Sequence, residues 1–130
     1  MILGIALPAA AATLAAGGIA AVLRYLLGTA LAGRGSLPWA VFVVNVIGSA
    51  IGGTAVGLAQ GGAISADARL VLLAGVAGGL TTFSTWSVDS IQRVLDGHWR
   101  AAVANVGLNL IVGVAVAAVF YTGALVVSGG

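Results

Sequence analysis

The chain has 130 residues, 61% hydrophobic and 6% charged, whereas soluble domains carry about 25% charged residues; a globular surface in water is excluded and lipid must be the main solvent. Its charges are five Arg and three Asp, with no Lys or Glu and no basic run to neutralise phosphates, so no nucleic-acid partner is expected. Cysteine is absent, which removes disulfides, thiolate catalysis and Cys-held metals, and the lone His98 argues against a histidine metal site.

Charges and Gly/Ser-rich joints divide the sequence into four apolar blocks. The first runs from about Ile2 to Ala32 and is charge-free until Arg24. Its start has the apolar look of a signal peptide, but it lacks a positive leading region and stays apolar to Leu23. A retained first helix is expected, with cleavage as the alternative. The second block runs from about Pro38 to Ala59, with Pro38 placed for a helix start. The third runs from about Leu70 to Gln92 and the fourth from about Ala101 to Val127. Each reaches the ~20 residues that cross a bilayer core of roughly 30 Å, and none alternates with the period of a membrane strand. The expectation is an all-α membrane protein, a single domain over residues 1–130 with four transmembrane helices.

The joints are short: Gly33–Leu37, Gln60–Arg69 and Arg93–Arg100. None can hold a soluble catalytic domain, and no residue reads as catalytic. Trp39 and Trp99 sit at block edges, as interfacial anchors do. Joints one and three carry Arg34, Arg93 and Arg100 and the opposite side only Arg69, a weak bias that favours outside termini. Insertion in both directions stays open.

Several polar features interrupt the apolar blocks. The chain holds 21 Gly, and patterns such as Gly48-x-x-x-Gly52 and Gly53-x-x-x-Gly57 let helix backbones approach closely. Arg24 either snorkels to the headgroups or lines an anion-attracting vestibule. Asn45 lies inside the second block, and Asn105 and Asn109 share one face of the fourth; each amide must find another helix or a ligand.

The third block contains Gly78-Gly79-Leu-Thr81-Thr82-Phe83-Ser84-Thr85-Trp86-Ser87. Paired glycines followed by two β-branched residues make poor helix in mid-span. A break there survives only where the freed backbone is buried in protein or lines a cavity, and released carbonyls are natural cation ligands. Phe83 and Trp86 share a helical face, and aromatic edges are positive. An ion pathway and polar packing between helices are the two readings of this block.

These motifs together resemble the CrcB/Fluc fluoride channels over nearly the whole chain. The resemblance starts at Gly17-Gly18-Ile-Ala-Ala-Val-Leu-Arg24-Tyr25, continues at Val44-Asn45-Val-Ile-Gly48-Ser49, and is most specific at Gly78-Gly79-Leu-Thr81-Thr82-Phe83-Ser84-Thr85. It implies an antiparallel, dual-topology dimer enclosing two fluoride pores, with the third helix broken. It implies that the Gly78 and Thr81 carbonyls hold a central structural Na⁺. It also implies that Phe83 is the first ring of an aromatic box, that Asn45 is the pore amide, and that Arg24 lies near the vestibule. Thr82, Ser84 and Thr85 match the polar patch around the break. The job implied is passive export of fluoride across the cell membrane, which protects cytoplasmic enzymes.

Two positions depart from that pattern. Trp86 stands where a second Phe is usual; its indole keeps a positive edge and adds an N–H donor, but is bulkier. Asn109, four residues before Gly113, stands where a pore Ser is usual. Self-pairing and pairing with a paralogous subunit both remain open, as does a non-conducting subunit. A small multidrug exporter would require a membrane-embedded carboxylate, which Asp67, Asp89 and Asp96 do not supply in mid-span.

Overall fold

The computed structural model of the protein describes residues 4, 6–34 and 37–129. It is helical throughout: α1 (Leu7–Ala30), α2 (Trp39–Gln60), α3 (Ala66–Leu70), a π-helical segment (Val71–Ala77), α4 (Gly78–Leu80), α5 (Phe83–Leu95) and α6 (Trp99–Val127). Four helical stretches are long and apolar enough to cross a membrane: α1, α2, the composite Ala66–Leu95 and α6. The expected all-α, four-span architecture is therefore what forms, and the third span is bent by 27°. The expected start of the first block at Ile2 lies outside the described residues, as do Gly35 and Ser36 of the first joint.

Two joints are shorter than expected. Ser65 caps α3 by accepting from the Ala68 amide at 3.1 Å, so the third span begins at Ala66 and includes Asp67 and Arg69. Between α5 and α6 only Asp96, Gly97 and His98 lie outside helix, because Gly97 adopts φ +78° and reverses the chain there. Arg93 and Arg100 thus belong to helix ends, and Trp39 and Trp99 are the first residues of α2 and α6.

The spans pack through small residues. α2 runs along α6, while α1 runs along the π-helical segment and α4; α5 leans on α6 instead. The third span therefore changes partners at its break. A Cβ added at Gly53 would lie 3.0 Å from the Ala117 carbonyl carbon and one at Gly57 2.9 Å from Ala124 Cβ, so both glycines admit α6. Ala20, Val44 and Leu80 form the small buried core, joined by Leu27 and Ile51. Most large apolar side chains face outward, as they must where the solvent is lipid.

Candidate functional site

The break falls at Thr81 and Thr82, which are extended (ψ 159° and 119°) between α4 and α5. The glycine pair itself stays helical, a correction to its reading as the breaking element. The missing Cβ atoms serve packing: at Gly79 a Cβ would lie 2.9 Å from Gly17 Cα of α1. Thr82 breaks the helix for local reasons. Its extended backbone suits a β-branched side chain, and its Oγ1 accepts from the Thr85 amide at 3.2 Å, capping α5. In a continuous helix the Thr82 amide would donate to the Gly78 carbonyl. It donates to Asn45 Oδ1 instead, at 3.0 Å.

Thr81 is held by three contacts. Its methyl sits in the notch left by Gly48, where a Cβ would overlap it. Its hydroxyl bonds back to the Ala77 carbonyl at 2.9 Å. Its own carbonyl accepts from Arg24 Nη1 at 3.0 Å. Arg24 is half-buried and turns inward to the break, so headgroup snorkelling is not what this side chain does.

Two cavities meet at Thr82. One, of about 270 Å³, is lined by Asn45, Thr81, Thr82, Phe83, Trp86 and Asn109, together with Ser49 and Leu110. The other, of about 440 Å³, is lined by Arg24, Tyr25, Thr29, Thr82 and Thr85 among small and apolar residues. Ser84 is exposed beside them, its Oγ 3.4 Å from Thr82 Oγ1. Thr82 Oγ1 also donates to Thr85 Oγ1 at 3.0 Å. Nine of the ten sequence-predicted site residues thus line one of these cavities or touch Thr82. Gly78 lies two residues before Leu80, the last residue of α4, and is exposed.

The rings of Phe83 and Trp86 are 5.3 Å apart and tilted by 55°. The indole N–H expected to serve as an extra donor is committed: Trp86 Nε1 bonds the Asn105 carbonyl at 3.3 Å. Asn45 Nδ2 donates to Asn109 Oδ1 at 3.0 Å. Asn109 Nδ2 donates to the Asn105 carbonyl (2.9 Å) and to Asn105 Oδ1 (3.1 Å). Asn105, 2% exposed, donates to Ser90 Oγ at 2.9 Å. The asparagines therefore do bond between helices, and two of them also face a cavity. Sequence reasoning missed Ser90 and the pivotal place of Asn105. The i, i+4 spacing of Asn105 and Asn109 was the only local signal for either.

A half-buried arginine, three asparagines and a capped helix break at mid-span define a polytopic membrane protein with a polar site inside its spans, since such groups persist in lipid only where they line a pathway or pair within protein. A family model described as CrcB-like protein, Camphor Resistance (CrcB), matches residues 11–123. A fluoride-specific ion channel of Thermobifida fusca is 37% identical over 99 residues, covering 75% of this chain and 79% of that protein. One from Symbiobacterium thermophilum is 40% identical over 98 residues (72% and 79%), and one from Renibacterium salmoninarum 37% over 110 residues (78% and 87%). The chain belongs to the CrcB-like family, a family of ion channels and not of enzymes.

Proposed function

We propose that the chain is a subunit of a fluoride-selective channel that exports fluoride passively from the cytoplasm through the cell membrane. The observation that carries this reading is the 270 Å³ cavity at the break, where Phe83 and Trp86 stand beside the Asn45 amide. A small anion must exchange its water for donors and positive ring edges before it crosses. Neither ATP nor a coupled proton is needed for such a path. No acidic side chain lines either cavity at the break, so no full negative charge there repels an anion.

A structural Na⁺ at Gly78 and Thr81 fits the local chemistry. The Gly78 carbonyl is deprived of the donor that a continuous helix supplies, because the Thr82 amide turns to Asn45. The Thr81 carbonyl is already presented to positive charge in the form of Arg24. Two carbonyls are an incomplete shell for a hard cation, which supports a second, antiparallel copy completing the site. Sodium would share the Thr81 oxygen with Arg24 or displace it. A second reading, a subunit that conducts only beside a paralogous partner, is favoured by Trp86, whose bulk replaces a smaller ring.

The test is efflux from liposomes holding the purified protein, alone and with any paralogue encoded beside it. Fluoride is expected to leave and chloride to stay. Equal rates for the two ions, or no movement of either in both preparations, would overturn the proposal.

A further inference from the structure

The hydrogen bonds around the break form one directed chain. The Thr82 amide donates to Asn45 Oδ1, Asn45 Nδ2 to Asn109 Oδ1, and Asn109 Nδ2 to Asn105 Oδ1. Asn105 Nδ2 then donates to Ser90 Oγ, and the Ser90 hydroxyl donates to the Trp86 carbonyl at 2.8 Å. A backbone N–H can only donate and a backbone carbonyl can only accept. The Thr82 N–H therefore dictates which way round each amide in turn must lie, although oxygen and nitrogen of an amide differ little in shape. Reversing Asn45 or Asn109 sets donor against donor at one end and acceptor against acceptor at the other, and reversing Asn105 sets its N–H groups against those of Asn109.

That polarity decides what the cavity can offer an anion. Both N–H groups of Asn109 are spent on Asn105, at 2.9 and 3.1 Å. The Trp86 N–H is spent on the Asn105 carbonyl. Asn45 gives one N–H to Asn109 at 3.0 Å, while its other acceptor, the Thr82 carbonyl, is 3.5 Å away, too long for a firm bond. Among the amide and indole donors lining the cavity, Asn45 alone keeps an N–H to give.

We propose that Asn105, which does not line the cavity, is a positioning residue: it fixes the orientation of Asn109 and, through it, keeps the Asn45 N–H turned to the passing anion. The inference rests on the fluoride-channel reading. Its physical basis is cooperative, because each amide in a buried chain is oriented by the next and an unmade bond there is costly. Asn105→Leu leaves the main-chain carbonyl that holds Trp86 and one Asn109 contact, and removes the Oδ1 acceptor of Asn109 and the link to Ser90, so it tests the side-chain relay and not the indole anchor.

A double-mutant comparison separates positioning from packing. Asn105→Leu is expected to slow fluoride efflux about tenfold in the native background but less than about twofold beside Asn109→Ser, whose rotatable hydroxyl needs no neighbour to orient it. Ser90→Ala, a milder cut at the far end of the chain, is expected to change efflux in the same direction by a smaller factor. Equal losses from Asn105→Leu in both backgrounds would reduce Asn105 to a packing residue. A second readout is independent of transport. Asn45, Asn105 and Asn109 are the only asparagines in the chain, so ¹⁵N-asparagine labelling resolves their side-chain amides by NMR. Asn105→Leu and Ser90→Ala should each shift the Asn45 signal, although Asn45 itself bonds Thr82 and Asn109. An unmoved Asn45 signal sinks the inference. Absence of fluoride efflux from the native protein would instead sink the channel reading and leave the NMR result to decide this one.

Discussion

Ahead of its break the third span meets its neighbours with bare backbone; beyond it, the same span meets them with hydrogen-bonding side chains. A Cβ added at Gly75 would lie 2.9 Å from the Thr13 carbonyl oxygen, and one at Gly79 2.9 Å from Gly17 Cα. In α5 the contacts are instead Trp86 to the Asn105 carbonyl and Ser90 to the Asn105 amide. The first arrangement is apolar and depends on shape, since lipid gives helices no hydrophobic reason to associate. The second is polar and depends on direction, because each donor must meet an acceptor. Thr81 and Thr82 sit at the junction, and the change of partner from α1 to α6 gives the helix a reason to stop there. A region held by shape should be intolerant of added volume, and one held by direction intolerant of lost polarity.

The largest effect is therefore expected ahead of the break. Gly79→Ala presses a methyl into the backbone of α1, which cannot move aside as a side-chain tip can. The expected loss is about 3 kcal/mol or more, the upper end of overpacking penalties, seen as a sharp fall in the melting temperature of the purified protein. On the neighbouring Gly78 a Cβ would meet nothing closer than the Leu73 carbonyl at 3.5 Å. An unchanged melting temperature for Gly79→Ala would mean that α1 and α4 are not packed backbone to backbone.

Phe83 provides the contrasting case. Its ring is 76% exposed in the single chain, so Phe83→Ile removes little packing there. A positive aromatic edge is lost, however, and contacts of this kind carry about 1 kcal/mol. Fluoride efflux is expected to slow about fivefold while the size-exclusion profile of the purified protein stays unchanged. Unaltered efflux would show that the ring is turned away from the ion path.

How far the sequence foretold these features differs between the two regions. The four spans were legible because an apolar run of about twenty residues has few other uses. The break was legible as well, since glycines and β-branched residues in one span oppose helix. Its position was not. Gly78 and Gly79 read as helix breakers, yet what they do depends on α1 lying against Gly79, about sixty residues away in the chain. The capping role of Thr82 needed only local chemistry and could have been found from its hydroxyl three residues before the Thr85 amide. The asparagine chain could not. Asn45 and Asn109 meet across 64 residues of sequence, and nothing local in either helix says that they face each other or in which orientation. Arg24 likewise had two readings until its guanidinium was seen on the Thr81 carbonyl.

The smallest expected effect separates the two supports of the break itself. Thr82→Val keeps a β-branched side chain that suits the extended backbone (φ −147°, ψ 119°) and leaves the amide bonded to Asn45. Only the hydroxyl that accepts from Thr85 and donates to its Oγ1 is lost. Removing such a cap costs about 1 kcal/mol, so the melting temperature should fall by a few degrees and Thr82→Ser should recover most of it. If Val melts like the native protein, the cap is dispensable and Asn45, by taking the Thr82 amide, holds the break alone. Asn45→Leu would then be the more damaging change, because it leaves a buried N–H with no acceptor in a segment where water is scarce.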